Sequence, residues 1–507
     1  MSLTPRFQTE KQKTFDSFLE FANGGEGPKW PQEIYLELSN TCNLKCAMCA
    51  EFSALNPYRY LRMDSSKRGF MKVSEVQPSL ERLLPHVLWV HAYGIGEPTI
   101  HPHFCSFLDF LSQFEVLIDF YTNGMGLTEK LCEFLVSRRI FRVTISFSGS
   151  NQSDYENVYR GGSFERVLKG MALLTKTKQR HGSPYPALLV NSIGFQHHID
   201  SLVPFVEMMA SHGAEHIALT RLKGYVTIPQ LHSHIAILRP WKEGEILQKA
   251  KSRADELGVY LDTSVFERTA VASNDEVDSA RQGCIYGGPH STDKVPIERF
   301  QELETYIKPV RSKVPAFVVT KGVKIFRQLR SFDGIRNLLR KVPSHVQRHF
   351  KLSSILANGA QGKSISEERV VDPPCLEPFL TMYFYKNLDA RPCCFSQRQE
   401  SFGNLSRCSG ERIWNGPRFK ATRENIIRGK YPSICFPCLD TNSHPFRHGV
   451  QEKYSTYSQW FERGFGTPFY PEAGDQITNI PDNRTILQRR GGTLEQFMPN
   501  DLRELNL

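Results

Sequence analysis

The sequence predicts an α/β protein built on part of a (β/α) barrel, followed by an insertion and a small α+β cysteine-rich unit. Three observations carry this. Six short apolar runs alternate with amphipathic helical patterns from Ile34 to Thr220, as parallel strands with right-handed crossovers require. That rhythm fades after about Tyr225. Cysteines then return in a compact group between Pro373 and Asp440.

The first thirty-odd residues are polar and contain Gly24-Gly25-Glu26-Gly27-Pro28, which reads as an extension or linker over 1–32. The expected strands are Ile34–Ser39, Val87–Tyr93, Val116–Thr122, Val143–Phe147, Ala187–Ile193 and His216–Thr220. Helices are expected at Phe104–Phe114, Lys130–Ser137, Phe164–Thr175 and Leu202–Ser211. A further helix fits Trp241–Leu257, with Gly258 as its C-cap and Val259–Thr263 as the next strand. The barrel is thus placed at 33–265, an insertion at 266–370, the cysteine-rich unit at 371–442 and a polar tail at 443–507. Barrels of this kind carry their chemistry on loops at the C-terminal ends of the strands.

The 507 residues, 40% hydrophobic and 23% charged, are ordinary for a globular protein and wrong for a disordered or fibrous one. No run nears the ~18 apolar residues of a membrane span, and the N-terminus lacks the apolar core of a secretory signal. Grouped cysteines in such a chain point to metal in a reducing cytoplasm rather than to disulfides. The net charge of +10 is concentrated between Lys308 and Lys351, where twelve basic residues face Asp333 alone. Apolar residues recur there at near-helical spacing. That stretch can cover the barrel as a solvated helix, hold an acidic peptide or touch an anionic membrane face. Aromatic residues are too sparse for a nucleic-acid groove, so no nucleic-acid partner is expected.

Cys42-Asn43-Leu44-Lys45-Cys46-Ala47-Met48-Cys49 follows directly on the first strand. Three thiolates at these spacings can reach three corners of one [4Fe–4S] cubane and leave one iron without a protein ligand. A small molecule can chelate that iron. Zinc is the competing reading, but it wants a fourth ligand nearby and no further cysteine follows within fifty residues. His91, on the next strand, packs or lines the pocket.

Here the chain resembles the radical S-adenosylmethionine (radical SAM) superfamily, whose hallmark is this C-x3-C-x2-C loop after the first strand of a partial (β/α)6 TIM-like barrel. The resemblance covers about residues 33–225. Gly94-Ile95-Gly96-Glu97-Pro98 looks like the family's G-G-E motif, so Gly96 and Glu97 are expected at the cofactor's amino group. Tyr121-Thr122-Asn123-Gly124 is also similar to the family. Ile145-Ser146-Phe147-Ser148-Gly149 resembles Ser-x-Asp-Gly, with Ser146 near the ribose and Ser148 in place of the aspartate. Arg160 resembles an arginine near the cofactor carboxylate, Asn191 a polar residue of the fifth strand, and Met48 stands where an aromatic residue usually packs on adenine.

The second group runs from Cys375 through Cys393-Cys394, Gly403-Asn404 and Trp414-Asn415 to Cys435-Phe436-Pro437-Cys438. Four thiolates make a closed site for zinc or a second [4Fe–4S] cluster. The pattern resembles the SPASM/twitch extension of many radical SAM barrels, in its single-cluster form. That resemblance makes Cys375, Cys393, Cys435 and Cys438 the ligands, with Cys394 or Cys408 able to replace Cys393. Cys105 and Cys132 read as core. Cys284, flanked by glycines in the insertion, is a candidate hydrogen donor.

The resemblance implies an enzyme that reductively cleaves S-adenosylmethionine and abstracts a substrate hydrogen, with flavodoxin or ferredoxin as electron donor. A ribosomally made peptide is the favoured substrate. A sugar, aminocyclitol or lipid-linked molecule is the alternative. A zinc-stabilised binding protein without catalysis is the reading from another class.

Overall fold

A computed structural model describes residues 5–49, 51–55, 68–220, 240–263, 375–393 and 401–428. Within them the strands are β1 (Glu33–Leu36), β2 (Trp89–His91), β3 (Leu117–Thr122), β4 (Arg142–Ser146), β5 (Ala187–Ile193), β6 (His216–Thr220) and β7 (Tyr260–Asp262). The cysteine-rich unit adds β8 (Thr381–Phe384), β9 (Asp389–Arg391) and β10 (Gly403–Asn404). The helices are α1 (Pro5–Ala22), α2 (Val73–Leu83), α3 (Phe104–Ser112), α4 (Glu129–Ser137), α5 (Gln152–Val158), α6 (Phe164–Arg180), α7 (Gln196–Ile199), α8 (Leu202–Ser211) and α9 (Pro240–Glu256). The second unit contributes α10 (Glu377–Leu380), α11 (Gly410–Trp414) and α12 (Pro417–Ile427). None of the described helices is long and apolar enough to cross a membrane.

One open sheet runs β10-β9-β8-β1-β2-β3-β4-β5-β6-β7. Strands β1 to β7 are parallel to their neighbours, each crossover from β2 to β7 carrying at least one helix. Period-two alternation decides the two faces. Val90, Ile118, Phe120, Val143, Ile145, Val190, Ile217 and Leu219 are buried and join the helices' apolar faces in one core. Their neighbours Tyr121, Ser146, Asn191, His216 and Thr220 are half-buried on the opposite, concave face. Helix starts follow local chemistry. Thr128, Asn151 and Ser163 are N-caps whose side chains accept from backbone N–H groups of α4, α5 and α6, which leaves fewer amides unpaired.

Two expectations are corrected. Residues 1–32 do not form a mere extension: α1 occupies 5–22 and buries Phe15, Phe18 and Phe21 completely. Each phenylalanine withdrawn from water contributes about 1.5–3 kcal/mol. The Phe21 ring lies 4.7 Å from Phe379 of the second unit, and the buried Lys11 ammonium donates to Val87 O at 2.8 Å. Nor does the cysteine-rich unit stand apart from the barrel sheet. Its β8 pairs in parallel with β1, Tyr35 opposite Tyr383, and Trp414 Nε1 donates to Pro28 O at 2.9 Å. The insertion at 266–370, the stretch Lys308–Lys351 and the tail at 443–507 lie outside the described residues.

Candidate active site

The cysteine loop leaves the C-terminal end of β1 and is fixed by backbone bonds. Lys45 N–H donates to Arg160 O at 2.9 Å, and Ala47 N–H to Val158 O at 2.7 Å. Leu44 and Ala47 are buried beneath it. On the other side, Gly96 N–H donates to Ser39 O and Glu97 N–H to Thr41 O. A Cβ at Gly96 would lie 2.3 Å from Thr41 O, so only glycine lets the β2 loop meet the cysteine loop this closely. Cys42, Cys46 and Cys49 are half-buried. Leu44 N–H donates to Cys42 Sγ at 3.4 Å, and Asn123 Nδ2 approaches it at 4.0 Å.

The electrostatics of these thiols test the expected cluster. Burial pushes Cys42 up to about 11, and the neighbouring Glu97 and Cys49 push the same way. Burial raises Cys46 further still, with Cys49 and Cys42 adding to it. Cys42 and Cys46, buried beside a third cysteine and a carboxylate, resist ionisation, and a bound cationic cluster would relieve that cost. Among the described residues no group of three or more His, Cys, Asp or Glu side chains is placed to hold a single metal ion. Cys42, Cys46 and Cys49, on one short loop, are the residues that would supply the three thiolates of a bound cluster.

Glu97 sits beside this loop, buried, with its carboxylate committed to the protein. Its Oε1 accepts from Thr99 N–H at 3.1 Å, Thr99 Oγ1 at 2.5 Å and Thr122 Oγ1 at 2.6 Å. Its Oε2 accepts from Asn123 N–H at 2.8 Å. Burial raises the carboxyl pKa, against these hydrogen bonds. Glu97 thereby ties the ends of β2 and β3 together, and Oε2 keeps acceptor capacity for one more donor.

The remaining expected residues are placed as follows. Ser146 and Asn191 are opposite one another on β4 and β5, both half-buried on the concave face. Met48 is half-buried in the cysteine loop. Arg160 has an exposed side chain; the part that reaches the site is its carbonyl, which holds Lys45. Ser148 Oγ is buried and accepts from Ile193 N–H at 2.8 Å. Sequence reasoning gave no site role to Asn123, which bonds Asn43 Oδ1 at 2.8 Å and reaches Cys42. It also missed Glu37, which accepts from Ile95 and Lys386 N–H groups. The Tyr-Thr-Asn-Gly run was the signal for Asn123, whereas nothing local marks Glu37.

Deeper in the concave face lies a closed charged layer. Both ring nitrogens of His91 face carboxylates, Nδ1 to Asp119 at 2.6 Å and Nε2 to Glu33 at 3.0 Å. Arg142 Nε donates to Asp119 Oδ2 at 2.9 Å and Trp89 Nε1 to Asp119 Oδ1 at 3.1 Å. Burial opposes ionisation of His91, yet Asp119 and Glu33 hold its pKa above the ordinary value. Burial likewise opposes ionised Asp119, but Arg142 and His91 pull it down to about 2. Two carboxyl groups thus face one guanidinium and one imidazole.

Of the second ligand set, Cys375 and Cys393 are half-buried at opposite ends of the segment that carries α10, β8 and β9. Thr381 Oγ1, at the start of β8, donates to Pro392 O at 3.0 Å, next to Cys393. Cys408 is also half-buried and free, and Cys132 is core as expected. Cys284, Cys394, Cys435 and Cys438 lie outside the described residues.

Residues 36–200 match the model of the radical SAM superfamily, and residues 375–439 that of SPASM, an iron–sulfur cluster-binding domain. Over 187 residues the chain is 26% identical to the mycofactocin maturase MftC of Mycolicibacterium smegmatis, covering 37% of this chain and 43% of that protein. It is 23% identical over 193 residues to the tungsten-containing aldehyde ferredoxin oxidoreductase cofactor-modifying protein of Pyrococcus furiosus, covering 37% and 51%. The match therefore spans about half or less of these curated relatives. Among solved structures, Streptococcus suis SuiB bound to S-adenosylmethionine superposes with a TM-score of 0.44 at 13% identity, over 78% of this chain and 68% of that one. The chain thus carries a radical SAM domain around the three-cysteine loop and a SPASM iron–sulfur cluster-binding domain on the returning cysteines.

Proposed function

We infer that this chain modifies a ribosomally made peptide by radical SAM chemistry. The observation that carries the reading is the half-buried three-thiol loop at the end of β1, with Glu97 beside it. When bound, a [4Fe–4S] cluster with S-adenosylmethionine supplies reductive sulfonium cleavage and a 5′-deoxyadenosyl radical that takes a substrate hydrogen. The chain's own part is to bind and orient. Cys42, Cys46 and Cys49 hold the cluster, and the spare capacity of Glu97 Oε2 accepts from an ammonium group. Ser146 and Asn191 offer polar contacts to a ribose, Met48 an apolar one to adenine. Cys375, Cys393, Cys435 and Cys438 hold the auxiliary cluster, and flavodoxin or ferredoxin supplies the electron. The peptide reading draws support from the likeness to a mycofactocin maturase.

Anaerobic iron and sulfide analysis tests this: the reconstituted chain should carry about eight irons, from two four-iron clusters. Cys46→Ala should retain about four and release no 5′-deoxyadenosine from S-adenosylmethionine under strong reductant. Stoichiometric zinc with negligible iron, or full deoxyadenosine release by Cys46→Ala, would end the proposal.

A further inference from the structure

The stretch Gly94-Ile95-Gly96-Glu97 is held by three consecutive backbone donors. The N–H groups of Gly96 and Glu97 meet the carbonyls of Ser39 and Thr41. Ile95 N–H meets a side chain instead, Glu37 Oε1 at 3.3 Å. Glu37 directly follows β1 and is fully buried. Its other oxygen, Oε2, accepts from Lys386 N–H at 3.2 Å, in the turn between β8 and β9. Its own N–H donates to Phe384 O at 2.9 Å. One carboxylate therefore joins the loop that ends in Glu97 to the hairpin of the cysteine-rich unit.

Packing closes the same joint. A Cβ at Gly94 would collide with Glu37 Cγ and lie 2.8 Å from Tyr383 Oη, so the loop passes close to both only because it carries no side chain there. Tyr383 belongs to β8 and is buried. Cys375 precedes α10 and Cys393 follows β9. A cluster held by these two cysteines would grip both ends of the segment whose turn carries Lys386.

The carboxylate matters for its two equivalent ends. A backbone N–H withdrawn from water needs an acceptor, and a carboxylate serves two donors at once from separate oxygens. An amide has one oxygen, so glutamine at this position would turn an NH2 group toward Ile95 or Lys386. The ladder between β1 and β8 would remain, because it is made by backbone groups. The change opens one side of the joint and spares the sheet.

We propose that Glu37 is a positioning residue through which the β8–β9 hairpin holds the Gly94–Glu97 loop in the shape that receives the amino group of S-adenosylmethionine, so that filling the second cysteine site tightens binding at the first. It rests on the radical SAM reading above for its ligand, but one of its two tests needs no nucleoside. In that test the Cys46→Ala chain is reconstituted with iron and sulfide, so that only the second site fills. Amide hydrogen exchange of Gly94–Glu97 is then followed by mass spectrometry. Filling should slow exchange there about fivefold, and Glu37→Gln added to the same chain should abolish the change. The second test is equilibrium dialysis of the full chain with both sites filled. Glu37→Gln should bind S-adenosylmethionine about tenfold more weakly than the wild type, and 5′-deoxyadenosine, which has no amino group, equally well. Exchange that ignores the filling of the second site, or equal losses for the two nucleosides, would overturn the proposal. Should Glu37→Gln not fold, the response of the Cys46→Ala chain decides alone. A loop that responds to filling, in a protein whose wild-type form never cleaves S-adenosylmethionine under strong reductant, would remove the radical reading and leave the clamp.

Discussion

The charged layer deep in the barrel and the cysteine rim above it are built from the same strands and treat charge in opposite ways. Below, Glu33 and Asp119 meet His91 and Arg142, so every carboxylate has a cation within hydrogen-bonding reach. Above, the charges around each thiol are negative. Burial first, and then Glu97 and the neighbouring cysteines, push Cys42 and Cys46 toward the neutral form. A site that balances its own charge serves stability. One that leaves like charges together is completed by something bound, and the difference separates scaffold from chemistry within a few ångströms of strand.

The largest test of that contrast is Asp119→Ala, which strips His91, Arg142 and Trp89 of a shared partner. Removing one partner of a buried ion pair costs about 3–5 kcal/mol, readable by urea unfolding. Glu97→Gln should cost about 1–3 kcal/mol by the same measurement, because its amide cannot replace a carboxylate accepting four donors. Cys46→Ser should change the unfolding free energy of the iron-free chain by no more than about 0.5 kcal/mol while losing the irons of the first cluster. If the cysteine change proved as damaging as the aspartate change, the division between scaffold and site would collapse.

pH sharpens the same comparison. Asp119 has its pKa depressed from 3.8 to about 2. Its contribution is present above the unfolded value and is lost as pH falls through the folded one. His91 is raised above 6.5, so its contribution is present below that value and is lost as pH rises through its folded pKa. Thermal melts of the wild-type chain should therefore fall below about pH 4. In Asp119→Asn that acid limb should be shallower.

Much of the scaffold was legible because its signals are local. The strands at Ala187–Ile193 and His216–Thr220 and the helix at Leu202–Ser211 have the bounds their periodicity predicts, and the three cysteines of the rim sit within eight residues. What escaped was non-local. The four charged groups of the buried layer come from four strands, and no short window of sequence contains two of them. Helix α1 was hidden because Phe15, Phe18 and Phe21 are set in polar text, and their burial depends on partners such as Phe379. Gly96 was read for approach to a cofactor, and its nearest constraint is the backbone of Thr41. Arg160 was read for its side chain, and the structure uses its carbonyl.

The pairing of β8 with β1 has a practical consequence. The strand that delivers the cysteine loop has the second unit as its neighbour on one side. Cutting the chain near residue 370 would turn β1 into a naked sheet margin, with unpaired amides and carbonyls available to any other chain. Such a truncation should yield sticky, self-associating material rather than a working half, so the two iron–sulfur regions must be made and kept together.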